Sequence, residues 1–124
     1  MIDRERVDAW LREYVEAWKT YDPTRIGALF SDDAEYRYHP YDDPVRGRDA
    51  IVKGWLDEPD VSGTYDGSYR TIAVDGAVAV ATGASTYRSS PSGDIDRVYE
   101  NCYVMEFDDD GRCRRFTEWY MKRP

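Results

Sequence analysis

The sequence predicts an α+β domain in which three helices pack on a curved antiparallel sheet that encloses a pocket. Two observations predict this class. Apolar residues recur at helical spacing in the first half of the chain, and the chain from about residue 64 onward alternates as strands do. With 124 residues and 41% hydrophobic residues, the chain is expected to form a single domain over residues 1–124.

Three segments carry helix signals. The first covers about residues 3–19, where Asp3 is a natural N-cap. A short second helix begins at Asp22-Pro23, because proline suits the first helical position. A third opens at Gly47 and runs to about residue 56. The apolar face of the first helix is unusually aromatic, which favours a sheet as its partner, and it carries Val7, Trp10, Leu11, Tyr14, Val15 and Trp18.

The remaining segments alternate as strands. Residues 34–38 form the first and stop at His39-Pro40, and residues 41–46 are expected to be a loop. Residues 65–74 and 77–87 are joined by Asp75-Gly76, a dipeptide that suits tight hairpin turns because both positions accept positive φ. Residues 95–107 and 112–122 complete the order, which is ααβα followed by a four-stranded meander.

Charge and cysteine usage exclude several classes of function. The net charge of −8 repels phosphates and anionic lipids, so we expect no nucleic-acid and no membrane partner. Cys102 and Cys113 form no disulfide framework, and no long apolar run follows the first residues, which together predict a cytoplasmic protein. Asp42 and Asp43 lack further ligands at useful spacing, so we expect no metal and no cofactor.

The last two strands each present two different faces. Tyr99, Asn101 and Tyr103 share one face of the first of these strands. Bulky side chains with hydrogen-bonding tips suit a pocket wall. Periodicity alone does not select the face that meets the helices, and the alternative is that these tyrosines pack in the core with their hydroxyls at solvent.

Two titratable side chains are candidates for proton transfer. His39 is the only histidine and could act as a general acid or base, or else cap the strand end or bond Asp42 or Asp43. Glu118 would gain a raised pKa in an apolar cavity. Its alternative is a buried salt bridge to one of three arginines: Arg37, Arg97 or Arg114.

Several stretches resemble the nuclear-transport-factor-2-like superfamily, which includes SnoaL-like polyketide cyclases and ketosteroid isomerase. They are YVEAW at residues 14–18 followed by Asp22, ALFSDDA at 28–34, GRDAI at 47–51 and FDDDGR at 107–112. The likeness covers nearly the whole chain and implies a cone-shaped fold. It leaves the chemistry open, because the superfamily contains isomerases, cyclases, dehydratases, epoxide hydrolases and proteins without catalysis.

The resemblance also implies roles for individual residues. Tyr14 matches the oxyanion tyrosine of ketosteroid isomerase, and Tyr103 falls where that enzyme has a protonated aspartate. The position of the catalytic base falls on Tyr38 or His39, and Trp55 resembles an aromatic partner on the third helix. Because two of the three expected catalytic carboxylates are missing, a steroid isomerase is not indicated.

The same resemblance assigns the faces of the last two strands. It places Tyr99, Asn101 and Tyr103 on the cavity side together with Phe116, Glu118 and Tyr120, and Trp119 on the outside of the sheet. An exposed tryptophan there would be covered by homodimerisation through the outer face, which is common in this family.

The sequence therefore predicts a pocket protein with cofactor-free acid/base chemistry on a small apolar oxygenated compound, as an isomerase, cyclase or dehydratase. Tyr14 and Tyr103 would polarise an oxygen, and His39 or Glu118 would move the proton. The alternative is a non-catalytic ligand-binding or interaction module of the same fold. The expected ligand-binding residues are Trp18, Tyr38, Trp55, Tyr99, Asn101, Phe116 and Tyr120.

Overall fold

The structure is a computed structural model that describes residues 2–124, in which three helices and a six-stranded sheet are present. The helices are α1 (Arg4–Thr20), α2 (Pro23–Ala28) and α3 (Arg48–Asp57). The strands are β1 (Phe30–Arg37), β2 (Val45–Arg46), β3 (Tyr65–Asp75), β4 (Val78–Arg88), β5 (Ile95–Phe107) and β6 (Cys113–Lys122).

The helix ends follow from local side-chain chemistry. The Asp3 carboxylate accepts a hydrogen bond from the backbone N–H of Arg6 at 2.9 Å, which caps α1. Asp22 caps α2 in the same way through Thr24, with Pro23 at the start of the helix. Gly47 leads into α3 with a φ of 92°, a left-handed conformation that glycine adopts without strain.

The sheet has the strand order β2-β1-β6-β5-β4-β3, and it is curved and unclosed. Its ladders are antiparallel except for β1 and β6, which run parallel, so the prediction of a purely antiparallel sheet is wrong at this pair. The reason is topological: the chain leaves β1, builds α3 and the β3–β5 meander, and re-enters beside β1 in the same direction. Register shifts in β3 and between β5 and β6 mark irregularities of the kind that bend a sheet.

Residues 41–46 are not entirely a loop, because β2 pairs with β1 through Val45 and Tyr36. Two residues are too few to show an alternating pattern, so no periodicity signals this strand. β1 also begins at Phe30, four residues before the predicted start.

The inner face of the sheet is the face that the family resemblance, and not the alternation alone, placed toward the cavity. Asn101, Tyr103, Met105 and Phe107 of β5 are buried, whereas the intervening side chains are more exposed. Three aromatic rings stack at the centre of the core: Phe116 lies 5.4 Å from Tyr14 and 4.7 Å from Tyr36, measured between ring centroids. On the outer face Trp119 is 44% exposed. No helix within residues 2–124 is long and apolar enough to cross a bilayer.

Candidate functional site

A cavity of about 230 Å³ lies between α1 and the inner faces of β3–β6. Its wall is dominated by tyrosine, with one carboxylate at Glu118 and a second at the rim, Asp60. The lining residues are Tyr14, Trp18, Tyr38, Asp60, Tyr65, Tyr69, Ser85, Tyr87, Arg97, Tyr99, Asn101, Tyr103, Glu118 and Tyr120.

Most of the residues singled out in the sequence lie on this wall, but three do not. Trp55 packs behind the wall, where its ring stacks on Trp18 at a centroid distance of 4.1 Å. Phe116 is fully buried in the aromatic stack of the core. His39 lies outside the cavity. The resemblance assigned Phe116 to the inner face of β6, but it did not say whether this side chain lines the cavity or is packed in the core. On β6 the cavity wall is formed by Glu118 and Tyr120, which follow Phe116 along the strand.

Glu118 is the inward-facing carboxylate of the cavity. It lies on β6 directly opposite Tyr103 of β5 and is only 9% exposed. None of the side chains in residues 2–124 forms a hydrogen bond or an ion pair with it, and burial raises its pKa to about 8. The carboxyl group is therefore largely protonated at neutral pH.

The salt bridge considered as an alternative for Glu118 is not formed, because the three arginines have other partners. Arg37 pairs with Glu35 at 3.7 Å, and Arg97 pairs with its neighbour in the chain at 2.9 Å. Arg114 pairs with Glu106 on the opposite face of the sheet. Glu118 thus lies among aromatic rings and pairs with no cation of residues 2–124, although Arg97 also lines the cavity.

Two buried phenols meet at the inner end of the cavity. The hydroxyl groups of Tyr14 and Tyr36 are 3.2 Å apart. Burial raises the pKa of both hydroxyl groups well above the usual value. In the alkaline range where phenols ionise, Glu118 is ionised too, and its negative charge raises these pKa values further. Tyr103 is affected in the same way. All three phenols therefore remain neutral and act as hydrogen-bond donors or acceptors rather than as phenolates.

A chain of hydroxyl groups on β3 and β4 forms a polar wall that the sequence analysis missed. Tyr65 and Tyr69 are joined by a 2.7 Å hydrogen bond, and Tyr69 bonds Ser85. Ser85 donates to the side-chain oxygen of Asn101 at 2.8 Å. Alternation along the strands was the signal that could have found this wall. Once the strand register is known, the odd-numbered residues of the paired stretches of β3, β4 and β5 lie on the same inner face.

His39 makes contact with the cavity only through Tyr120. Its Nδ1 lies 2.8 Å from the Asp42 carboxylate, which was one of the alternatives for this residue. Its Nε2 lies 2.7 Å from the hydroxyl of Tyr120, a residue 81 positions away that lines the cavity. The ring also stacks on Tyr41. The imidazole is thus a partly exposed group at the mouth, held on both of its nitrogen atoms.

The structure is thus a small α+β domain with one cavity wall made mainly of tyrosine side chains, among which lies the buried carboxyl group of Glu118. The chain matches the SnoaL-like domain over residues 11–116 and belongs to this family of the nuclear-transport-factor-2-like superfamily, which confirms the family predicted from the sequence.

A solved structure supports the same fold. The crystal structure of a protein from Kribbella flavida DSM 17836, described as a candidate ketosteroid isomerase, is similar with a TM-score of 0.69 over 98% of this chain and 82% of that chain. The two sequences are 19% identical, a likeness that shows a shared fold and no more. A comparison with curated proteins found no significant match.

Proposed function

We propose that this protein catalyses cofactor-free acid/base chemistry on a small, largely apolar, oxygen-bearing molecule, as an isomerase, cyclase or dehydratase. The family and the fold support a small-molecule site of this kind. The cavity volume of about 230 Å³ is below the roughly 300–1,000 Å³ typical of sites for drug-sized ligands, which favours a small substrate.

The observation that carries the proposal is the environment of Glu118. A buried carboxyl group with a pKa of about 8 and no partner among residues 2–124 holds its proton at neutral pH and faces the cavity. Such a group can give its proton to a bound substrate and take another back, which is the task of a general acid/base. Unpaired burial of this kind costs stability, and active sites are where that cost is commonly found.

In this mechanism neutral phenols stabilise the charge that develops on the substrate oxygen. Tyr103 lies directly opposite Glu118, and Tyr14 lines the same end of the cavity. Hydrogen bonds that are already oriented toward a developing oxyanion stabilise the transition state more than the ground state. Trp18, Tyr38 and Tyr99 would hold the apolar part of the substrate.

The test is a screen of small phenols, ketones and terpenoids for binding and turnover, followed by Glu118→Gln. This variant keeps the shape of the side chain but cannot transfer a proton, so we expect turnover to fall by at least ~100-fold while binding persists. The matched control is Glu106→Gln, which removes a carboxylate from the opposite face of the same sheet and should leave turnover unchanged. Turnover that survives Glu118→Gln would refute the proposed role.

The second candidate is a non-catalytic binding module, which the hydroxyl chain of Tyr65, Tyr69, Ser85 and Asn101 favours. These side chains already satisfy one another and form a fixed polar wall suited to gripping a ligand. Binding without turnover of any compound, with equal affinity for wild type and Glu118→Gln, would select this function.

We further propose a cytoplasmic homodimer that meets through the outer face of β5 and β6. Trp119 is exposed at the centre of this face, and burying such a ring is favourable. Cys102 and Cys113 are both free thiols, as expected in a reducing compartment. Sedimentation velocity measures the oligomeric state, and a monomer at all concentrations would contradict the dimer.

A further inference from the structure

Three side chains at the cavity mouth form a continuous hydrogen-bonded chain from solvent to the cavity. The order is Asp42, His39 and Tyr120, with 2.8 Å from the Asp42 carboxylate to Nδ1 and 2.7 Å from Nε2 to the Tyr120 hydroxyl. His39 and Asp42 are partly exposed, and Tyr120 alone of the three lines the cavity. The chain connects the loop after β1 with the end of β6.

The direction of each hydrogen bond follows from the chemistry of the groups. A carboxylate only accepts hydrogen bonds, so Nδ1 of His39 carries a proton and its N–H donates a hydrogen bond to Asp42. In a neutral imidazole Nε2 is then an acceptor. With a neutral imidazole the Tyr120 hydroxyl therefore donates to Nε2, and its oxygen is left with lone pairs for any group in the cavity.

We propose that Tyr120 recognises a hydroxyl group of the ligand by accepting its hydrogen bond, with His39 and Asp42 as the positioning residues that fix this polarity. The inference rests on the proposed function only in taking the cavity as a ligand site. It narrows the ligand class from oxygen-bearing molecules in general to those with an O–H group at the end nearest the mouth.

The same arrangement provides a route for a proton. If the ligand O–H transfers its proton to the Tyr120 oxygen, the original Tyr120 proton passes to Nε2 of His39, and the imidazolium that results is stabilised by the Asp42 carboxylate. The ligand becomes an alkoxide or phenolate, and no other bond changes. Glu118 lies two residues before Tyr120 on the same face of β6, where the strand rise places their Cα atoms about 7 Å apart, so both side chains line one cavity wall.

The first experiment uses the free protein and its single histidine. Labelling histidine with ¹⁵N gives one imidazole spectrum, in which we expect a protonated Nδ1 and an unprotonated Nε2 at about pH 8, where imidazoles are ordinarily neutral. Asp42→Asn should move the population toward the Nε2–H tautomer, and the neighbouring Asp43→Asn should not. Tyr120→Phe should shift the Nε2 resonance. An Nε2–H form in wild type, or equal spectra for the two aspartate variants, would overturn the proposal.

The second experiment uses a matched pair of probes, 4-chlorophenol and 4-chloroanisole, which share a ring and an oxygen but differ in the O–H group. We expect wild type to bind the phenol about fivefold more tightly, the worth of one hydrogen bond. Tyr120→Phe should abolish this preference. The control is Tyr41→Phe, which removes a hydroxyl from the ring stacked on His39 but leaves the hydrogen bonds among Asp42, His39 and Tyr120 in place, and it should keep the preference.

The outcomes separate this inference from the proposed function. Binding of both probes without preference, or a preference that persists in Tyr120→Phe, overturns the role of Tyr120 and leaves the cavity as a ligand site. Binding of neither probe contradicts the ligand class of the proposed function as well as this inference.

Discussion

Two carboxyl groups, that of Glu118 at the inner end of the cavity and that of Asp42 beside its mouth, lie in contrasting environments. At the inner end Glu118 has aromatic neighbours and no partner among the described residues, so burial holds its proton on. At the mouth the Asp42 carboxylate is partly exposed and is hydrogen-bonded to His39. This hydrogen bond orients the imidazole toward Tyr120. The comparison teaches that burial without a partner raises the pKa of the Glu118 carboxyl group, whereas a hydrogen bond to the Asp42 carboxylate fixes the orientation of the imidazole beside the mouth.

The largest expected difference between the two ends is in packing. Phe116 is fully buried between two stacked rings, so Phe116→Ala should lower the free energy of unfolding by ~3–5 kcal/mol. Tyr120 at the mouth is 40% exposed, and Tyr120→Ala should cost about 1 kcal/mol or less. Urea denaturation of the two variants measures both, and equal losses would show that the mouth is packed as tightly as the inner end.

The second prediction concerns the pH dependence of stability. Glu118 has a pKa of about 8 in the folded protein against an ordinary 4.5, so the folded chain holds the proton over a range in which the unfolded chain releases it. Its favourable contribution is complete below about pH 4.5 and is lost as the pH rises to about 8. Glu118→Gln removes this loss and should become more stable than wild type by ~4–5 kcal/mol at the upper end of the range.

Glu106→Gln is the control of opposite sign. A hydrogen bond from Arg114 holds the pKa of Glu106 below its usual value, so its contribution is present at neutral pH and is lost in acid. This variant should therefore be less stable than wild type at neutral pH and should approach it as the pH falls. The Glu106 window lies below its ordinary pKa of 4.5, so denaturation curves between about pH 2.5 and pH 8.5 are needed to cover both windows. A Glu118→Gln variant that gains nothing with rising pH would show that Glu118 is hydrated or paired in solution.

The smallest prediction tests the paired phenols at the inner end. Tyr14→Phe leaves the buried hydroxyl of Tyr36 without its partner and should cost about 1–2 kcal/mol. Tyr36→Phe should cost a similar amount, but the double variant should cost less than the sum, because both hydroxyls are then gone. Strict additivity in a double-mutant cycle would mean that the two hydroxyls do not interact.

Local features of this fold could be predicted because their causes are local. Asp3 and Asp22 cap the helices that follow them, and β5 begins and ends where alternation begins and ends. The burial of Glu118 required the resemblance as well, because alternation gives two faces and does not say which one the helices cover.

The rest of the site depends on pairings between distant segments. The hydrogen bond between His39 and Tyr120 spans 81 residues, and no local pattern signals it. Ser85 joins the wall only because β4 pairs with β5 in a register that places it opposite Tyr99. The hydrogen bond between the hydroxyls of Tyr14 and Tyr36 joins α1 to β1, and no local pattern signals it because it depends on how β1 is placed in the sheet by its parallel pairing with β6.

The interior position of β6 has a consequence for the order in which the protein matures. This strand separates β1 from β5, so until Lys122 has left the ribosome the β1–β2 pair and the β3–β5 meander have no shared edge. During that interval the unpaired edges of β1 and β5 can form hydrogen bonds with other chains, which favours aggregation. The same strand carries Phe116, Glu118 and Tyr120. Completion of the sheet and assembly of the cavity wall therefore depend on one step, the insertion of β6 between β1 and β5.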